Sequence, residues 1–291
     1  MAHLVYGVGA RHEFTILRPV REFEIGVTLP TSGRYASVDA VARIAAAAEE
    51  LDFDSVWASE HIAVGSDVAD TYARTLDPFS ALAFVAGRHE RLALGTSVVL
   101  LPLHHPLTVA KRAATLHELS RAQFRLGVGV GWYEHEFALL GAPFGGRGAR
   151  ADEAMRLLHA AWAGEREFRG ENWTLNDLRF EPLPKPAPEV WVGGSSPRSV
   201  RRARELGDVW HPIGAADEAI RAAARDVRVV PRLALTGARE DGDRLRALRE
   251  VGASGAVIRF GPSADARAPV TVDATIEAMR RFAGDVLPAL T

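Results

Sequence analysis

Short apolar runs rich in β-branched and aromatic residues recur along the chain from residue 23 onward, and segments with apolar residues at helical spacing separate them. Such runs, bounded by turn residues, are typical of strands, and their alternation with helices predicts parallel βα units. The predicted strands cover residues 23–29, 55–59, 92–101, 124–130, 190–192, 209–211, 227–235 and 256–260.

Helices are predicted between these strands. Ser37 can cap the first helix, and the Asp77-Pro78 pair begins the second, which ends near residue 89. The other predicted helices cover residues 106–119, 151–162, 197–206, 216–225, 241–251 and 271–290. Eight strand and helix units without a break in hydrophobicity favour one closed α/β barrel, the (β/α)8 TIM barrel, over an open doubly wound sheet.

Two segments interrupt the alternation. Residues 1–22 precede the first strand and are interpreted as an N-terminal extension, so the barrel domain is predicted over residues 23–291. Residues 165–188 mix aromatic, polar and proline residues. They are predicted to form an irregular or hairpin insertion after the fourth barrel helix, outside the barrel wall.

Composition restricts the partners of the chain. Its 35 basic and 37 acidic residues give a net charge of −2, so nothing marks a surface for nucleic acid or for an anionic membrane. Cysteine is absent, which excludes disulfides and thiolate chemistry. Charged residues break up residues 1–20, so no signal peptide is expected there. No apolar run elsewhere approaches the roughly 20 residues of a membrane span. We expect a cytoplasmic homodimer that acts on a small molecule.

Active sites of (β/α)8 barrels lie where the strands end and the βα loops begin. Glu60 and His61 follow the second predicted strand, and a carboxylate beside an imidazole can donate, accept or relay a proton. The alternative is that His61 only packs in the loop or ends the strand. Position alone does not choose between the two.

Small residues interrupt two of the apolar strands. Residues 95–98, with the sequence GTSV, suggest a bulge or a close backbone approach to a flat ligand, or else a barrel layer that needs small side chains. Gly127, Gly129 and Gly131 remove side chains at alternate positions, which we interpret as room for a group that is not protein. Their spacing does not match the dinucleotide-binding fingerprint.

A phosphate site is predicted after the fifth strand. Gly193, Gly194, Ser195 and Ser196 lead into a helix whose first turn contains Pro197, and free amides at a helix N-terminus bind phosphate. A plain helix cap is the alternative. No metal site is predicted, because the candidate histidines lack metal-ligand spacing. These histidines are His61, His104, His105 and His211.

Four stretches, taken together and in this order, resemble the luciferase-like monooxygenase superfamily, and within it the coenzyme F420-dependent oxidoreductases. They are residues 51–57 (LDFDSVW), 94–98 (LGTSV), 126–132 (LGVGVGW) and 191–195 (WVGGS). The resemblance is close over residues 23–213. It implies a (β/α)8 barrel with an insertion, usually dimeric, that binds the cofactor ring across the ends of strands three and four.

The resemblance also implies roles for individual residues. His61 would be catalytic and lie beside the hydride-carrying carbon of the ring, and a non-prolyl cis peptide bond between Ser97 and Val98 would support the ring. The implied cofactor contacts are Glu60, Thr96, Ser97, Val98, Gly131, His135, Gly193, Gly194, Ser195 and Ser196. The implied reaction is hydride transfer between F420 and a small organic substrate. An FMN-dependent monooxygenase and a cofactor-binding barrel without turnover are the alternatives.

One position departs from the family's glucose-6-phosphate dehydrogenases. Trp132 stands where those enzymes have a glutamate base, and His135 matches an asparagine that contacts their cofactor. The chain is therefore not expected to oxidise that sugar. Trp132 suggests a flatter, more apolar substrate.

Overall fold

The computed structural model describes residues 21–261 and 271–290, so most of the predicted N-terminal extension lies outside the described residues. The strands are β1 (Glu24–Thr28), β2 (Ser55–Ala58), β3 (Ala93–Thr96), β4 (Val99–Leu100), β5 (Phe124–Gly129), β6 (Phe168–Arg169), β7 (Thr174–Leu175), β8 (Glu189–Gly193), β9 (Val209–His211), β10 (Arg228–Val229), β11 (Arg232–Leu235) and β12 (Gly255–Phe260). The α-helices are α1 (Val38–Glu50), α2 (Ala69–Tyr72), α3 (Pro78–Ala86), α4 (Pro106–Leu119), α5 (Glu134–Leu139), α6 (Arg147–Ala163), α7 (Pro197–Leu206), α8 (Asp217–Ala223), α9 (Asp241–Glu250) and α10 (Val272–Asp285).

The main sheet is parallel and closes on itself. Its order is β10-β9-β8-β5-β3-β2-β1-β12-β11, and β10 and β11 are consecutive parts of one barrel strand. Arg232 pairs with Ile213 on one side and with Val257 on the other, which joins the two ends of the sheet. The predicted (β/α)8 barrel is therefore confirmed.

Two strands predicted as continuous are each divided. The Ser97–Val98 peptide bond, which is cis as the resemblance implied, separates β3 from β4. Val230 and Pro231 separate β10 from β11. Proline has no N–H to donate, so the ladder cannot continue unbroken through residue 231.

The predicted insertion after the fourth barrel helix is also present. β6 and β7 form a separate antiparallel pair after α6. The Glu153 carboxylate on α6 accepts hydrogen bonds from the backbone N–H groups of Asn172 and Trp173, which ties the hairpin to the barrel. No described helix is both long and apolar enough to cross a membrane.

The barrel interior has three layers. The middle one is apolar and contains Trp57, Trp191, Val209, Val230 and Val257. Glycine is required beside Trp57, since a Cβ on Gly95 would lie 2.3 Å from its ring. Both tryptophans are almost fully buried, so this layer fills the barrel interior at their level.

Charged and polar residues lie on either side of this apolar layer. At the lower end, where the strands begin, Arg125 contacts Glu24 at 2.8 Å and Arg228 contacts Glu189 at 2.6 Å. The upper end, where the strands finish, is lined by inward-facing residues. Each lies two positions after the residue that its strand contributes to the apolar layer. They include Ser97, His211, Arg232 and Arg259. The upper end faces the βα loops and is where a barrel places its active site.

Candidate active site at the carboxyl ends of the strands

His61 is held by a carboxylate that sequence analysis did not identify. Its Nδ1 lies 2.8 Å from Glu136 Oε2, and the two side chains are 8% and 1% exposed. The other Glu136 oxygen accepts hydrogen bonds from the backbone N–H of Ile62 at 2.6 Å and of Ala63 at 3.3 Å. Glu136 therefore positions both the imidazole and the loop that follows it.

The charge on Glu136 determines the proton positions on His61. Burial would raise the Glu136 pKa, but the hydrogen bonds from His61 and Ile62 outweigh it, and the pKa is lowered. An ionised carboxylate accepts the proton of Nδ1–H, which leaves Nε2 of the neutral ring as an acceptor. Nε2 has no hydrogen-bond partner in the described part of the chain. It is available to a ligand.

Aromatic rings surround His61. The Tyr72 ring centroid lies 4.3 Å from the His61 ring, and the Trp132 centroid lies 6.2 Å from it. Trp132 is 58% exposed although it is large and apolar. His61, Tyr72 and Trp132 form what we call the aromatic wall, and an exposed aromatic surface next to an available imidazole suits a flat ligand.

His135 is exposed and lies beside the loop rather than beside His61. Its Nδ1 is 3.3 Å from the Tyr133 hydroxyl, which accepts a hydrogen bond from the backbone N–H of Gly65 and donates one to Asp67. These contacts fasten the loop after β2 to the loop after β5. A cofactor contact by His135 remains a prediction.

Glu60 does not form a pair with His61. Its buried carboxylate accepts a hydrogen bond from the backbone N–H of Leu100 at 2.7 Å and lies 3.0 Å from His104 Nε2. Both contacts are with protein groups that fix β4, and successive residues in extended chain point in opposite directions. Glu60 is thus adjacent to His61 in sequence, but its carboxylate contacts other groups, and its cofactor contact remains a prediction.

Ser97, His211 and Arg232 form a buried network at the upper end. His211 Nδ1 lies 2.6 Å from the Val230 carbonyl oxygen, so it donates there, and Nε2 accepts from Ser97 Oγ at 2.9 Å. Arg232 Nη1 donates to the Ser97 carbonyl at 2.9 Å. Burial lowers the pKa of His211 to about 4, so the ring is neutral near pH 7.

The glycines of β5 do not leave room for a ligand, and that interpretation was wrong. A Cβ on Gly127 would lie 1.7 Å from the Thr96 carbonyl oxygen, and one on Gly129 would lie 2.5 Å from Val98. A Cβ on Gly193 would also approach Val98, at 2.9 Å. The missing side chains make space for the bent segment between β3 and β4. Val98 remains partly exposed at the mouth of the barrel.

Two further predicted contact residues are already engaged with protein groups. The Thr96 side chain is fully buried and donates its hydroxyl proton to the Gly127 carbonyl at 2.8 Å. Gly131 has a φ of +78°, a conformation that favours glycine, and its carbonyl accepts a hydrogen bond from Arg147. Cofactor contacts at Thr96 and Gly131 remain predictions that only backbone atoms could satisfy without rearrangement.

The loop from Gly193 to Ser196 is exposed beyond Gly193 and ends in a helix cap. Ser196 Oγ accepts a hydrogen bond from the Ser199 N–H at 3.3 Å, as in the plain-cap alternative. Gly194 has a φ of +97°, and its carbonyl accepts from Trp210 Nε1 at 2.8 Å. This fixes the carbonyl inward and leaves Ser195 exposed at the start of α7. The arrangement is compatible with both a cap and a phosphate contact.

Sequence analysis missed Glu136 and Arg232. Tyr133, Glu136 and Phe137 have the spacing of one buried face of a short helix, which could have indicated that a carboxylate is buried there. Arg232 lies two residues after Val230 and four after Arg228. Side chains at alternate positions of a strand face the same side, so the spacing indicates that all three face the same side of the barrel.

Comparison with known proteins gives a family match over most of the chain. The family described as luciferase-like monooxygenase matches residues 21–287. An F420-dependent hydroxymycolic acid dehydrogenase from Mycobacterium tuberculosis is 32% identical over 64% of this chain. The oxygenase component of a flavin-dependent trigonelline monooxygenase from Acinetobacter baylyi is 28% identical over 53% of this chain.

These alignments cover 52% of the dehydrogenase and 42% of the monooxygenase, so the chain spans about half the length of the relatives. Among solved structures, an F420-dependent secondary alcohol dehydrogenase in complex with an F420–acetone adduct superposes with a TM-score of 0.76. That likeness covers 93% of this chain and all of the other, at 16% identity. At such low identity it supports the fold alone.

Proposed function

The chain belongs to the luciferase-like monooxygenase family, and from this premise we propose that it is an oxidoreductase that transfers a hydride between coenzyme F420 and a small organic substrate. The observation that carries the proposal is His61 at the barrel mouth, with Nδ1 fixed by Glu136 and Nε2 available. A hydride transfer to or from a carbon–oxygen bond needs a proton transfer at the oxygen, and a positioned imidazole can supply it.

The residues at the mouth fit a flavin-type ring with a phosphate-bearing chain. Val98 offers partly exposed apolar surface at the strand ends, and the aromatic wall stands beside it. The backbone of Gly194 and Ser195 at the start of α7 would hold the phosphate. When bound, F420 supplies the carbon that carries the hydride, which the protein itself cannot provide.

The role of the chain's own residues is to orient and to move a proton. Glu136 holds His61 in the tautomer that accepts at Nε2, and a second proton converts the same nitrogen into a donor. The apolar layer of Trp57 and Trp191 lies beneath the site and gives it a dry lower boundary. Alignment of the reacting groups and exclusion of water account for much of such catalysis.

The test compares two histidine–carboxylate pairs of the same protein. His61→Ala should lower the rate of hydride transfer from reduced F420 about 100-fold or more, with F420 binding, followed by fluorescence, retained. His89→Ala is the matched control, because His89 forms a similar pair with Glu49 at 2.9 Å outside the barrel mouth. Unchanged rates in His61→Ala across a panel of ketones, alcohols and activated alkenes would remove the proposed role of His61.

An FMN-dependent monooxygenase is the second candidate, and the similarity to the trigonelline monooxygenase favours it. The two functions separate by cofactor affinity. Titration of the protein with each cofactor should give tighter binding of F420 than of FMN. Tight binding of FMN together with no binding of F420 would replace the first proposal by the second.

The third possibility is a barrel that binds cofactor without turnover. The short segment 214–226 is where such a barrel could be incomplete, but it contains α8, whose Asp217 forms an ion pair with Arg244 at 2.7 Å. The segment is thus an ordinary barrel helix and offers no support for an incomplete pocket. Cofactor binding without reduction of any substrate in the panel would support this possibility.

A further inference from the structure

Arg232 is a partly buried cation that has no counterion among the residues that the structure describes. It forms no ion pair with any Asp or Glu of residues 21–261 and 271–290, and its hydrogen bonds go to Ser97, at 2.9 Å to the carbonyl and 3.4 Å to Oγ. Burial, and then the neighbouring Arg259 guanidinium, lower its pKa to about 10. A cation that is largely removed from water and lacks a counterion costs free energy.

The pairing of the two strands explains why the guanidinium groups are neighbours. Arg232 is in register with Val257, and Arg259 is in register with Ala234. Val257 belongs to the interior apolar layer, so residues 257 and 259 face inward, and Arg232 faces Ser97 on the same side. Both arginines therefore point into the upper end of the barrel, just above the layer that closes it.

The other titratable groups that the structure describes at this end are engaged elsewhere and do not neutralise Arg232. His211 is neutral and uses both ring nitrogens, on Val230 and on Ser97. Glu60 is held by Leu100 and His104. Glu136 is held by His61 and the loop after it.

Tyr72 connects Arg232 to the proposed reaction centre. Its phenol is close enough to act on the charge of Arg232, and its ring lies 4.3 Å from His61 and 6.2 Å from Trp132, measured between centroids. A ligand whose charged end meets Arg232 would therefore extend along the aromatic wall toward His61 Nε2.

We propose that Arg232 binds the carboxylate of a flat organic anion and so determines the substrate class of the enzyme as aromatic carboxylates. This deepens the proposed function and rests on it. A guanidinium is the group that suits a planar carboxylate, since it can donate two parallel hydrogen bonds. The negative charge of the substrate offsets the burial of the cation, while the aromatic wall binds its ring.

The test uses benzoate and benzamide, which have nearly the same shape and differ in charge. Calorimetric titration of the full chain, with and without saturating F420, should show benzoate binding at least about tenfold more tightly than benzamide. Arg232→Met should abolish that preference, and Arg232→Lys should retain part of it. Arg228→Met, which removes an arginine at the lower end, is the control and should retain all of it.

The binding experiment needs no turnover, so it tests the role of Arg232 separately from the proposed hydride transfer. Equal affinities for benzoate and benzamide, or an unchanged preference in Arg232→Met, would overturn it even if His61 proves catalytic. The cofactor is the other possible source of negative charge. If Arg232→Met weakened binding of reduced F420 relative to oxidised F420 and left benzoate binding intact, Arg232 would serve the ring and the substrate assignment would be wrong.

Discussion

Arginine side chains have different partners at the two ends of the barrel interior. At the lower end Arg125 and Arg228 meet Glu24 and Glu189, and the four side chains form a network. At the upper end Arg232 donates to the Ser97 carbonyl and lies near the Ser97 hydroxyl, the Arg259 guanidinium and the Tyr72 phenol, and it forms no ion pair with any described acidic residue. The lower arginines are paired with carboxylates, whereas Arg232, on a strand of the same sheet, meets no carboxylate of residues 21–261 and 271–290 at the end that faces the loops. Unpaired buried charge is characteristic of functional sites.

The largest expected effect is at the lower end. Arg125→Met should lower the free energy of unfolding by about 3–5 kcal/mol, because it leaves the buried Glu24 carboxylate without its 2.8 Å partner. Burial already raises the Glu24 pKa in spite of Arg125, so little else compensates. Urea denaturation followed by circular dichroism would measure the loss, with the exposed Arg201→Met as control. A loss below about 1 kcal/mol would contradict the claim that the buried pair of Arg125 and Glu24 supports the fold.

The second effect is acid sensitivity at the upper end. The pKa of His211 is about 4 in the fold and 6.5 ordinarily, so the unfolded chain binds more protons between these values. Stability is therefore fully present above about pH 6.5 and is lost as the pH falls toward 4, by an amount on the order of 3 kcal/mol. His211→Gln should reduce this loss in parallel pH-dependent denaturation, where the carboxyl groups common to both proteins cancel. Identical pH profiles would contradict a neutral buried His211.

A smaller effect is expected for the exposed pair of the lower end. Arg228 and Glu189 are 43% and 37% exposed, so solvent screens their 2.6 Å contact. Arg228→Met should cost about 0.2–1 kcal/mol, well below the cost of Arg125→Met. The difference between the two variants in one denaturation series measures how much burial adds to an ion pair. Equal losses would mean that the network acts as a unit.

The smallest effect on stability is expected for Arg232→Met. Removing a partly buried cation that has no described counterion offsets the loss of its hydrogen bond to Ser97, so the free energy of unfolding should stay within about 1 kcal/mol of the wild type or rise. Thermal and urea unfolding without ligand would show it. A loss as large as that of Arg125→Met would mean that Arg232 supports the fold, as the lower arginines do.

Much of the architecture could be predicted from local pattern, and the exceptions have local causes. The alternation of strands and helices predicted the closed barrel, and the irregular composition of residues 165–188 predicted the inserted hairpin. Strand seven was predicted as continuous, but Pro231 divides it. The glycines of β5 were predicted to make room for a ligand, whereas Thr96 and Val98 from the neighbouring strands fill that space. Periodicity tells which positions face inward but not what fills the space opposite them.

The sequence by itself determined the fold class and the end of the barrel where the candidate residues gather, because hydrophobic periodicity and turn chemistry act over a few neighbouring residues. Only the tertiary structure decided the partners. His61 meets Glu136, 75 residues away, rather than its neighbour Glu60, and Arg232 meets Ser97 across 135 residues. These contacts follow from the closure of the sheet, which brings strand ends distant in the chain to one mouth. Which charges are paired there and which are left for a ligand depends on that closure.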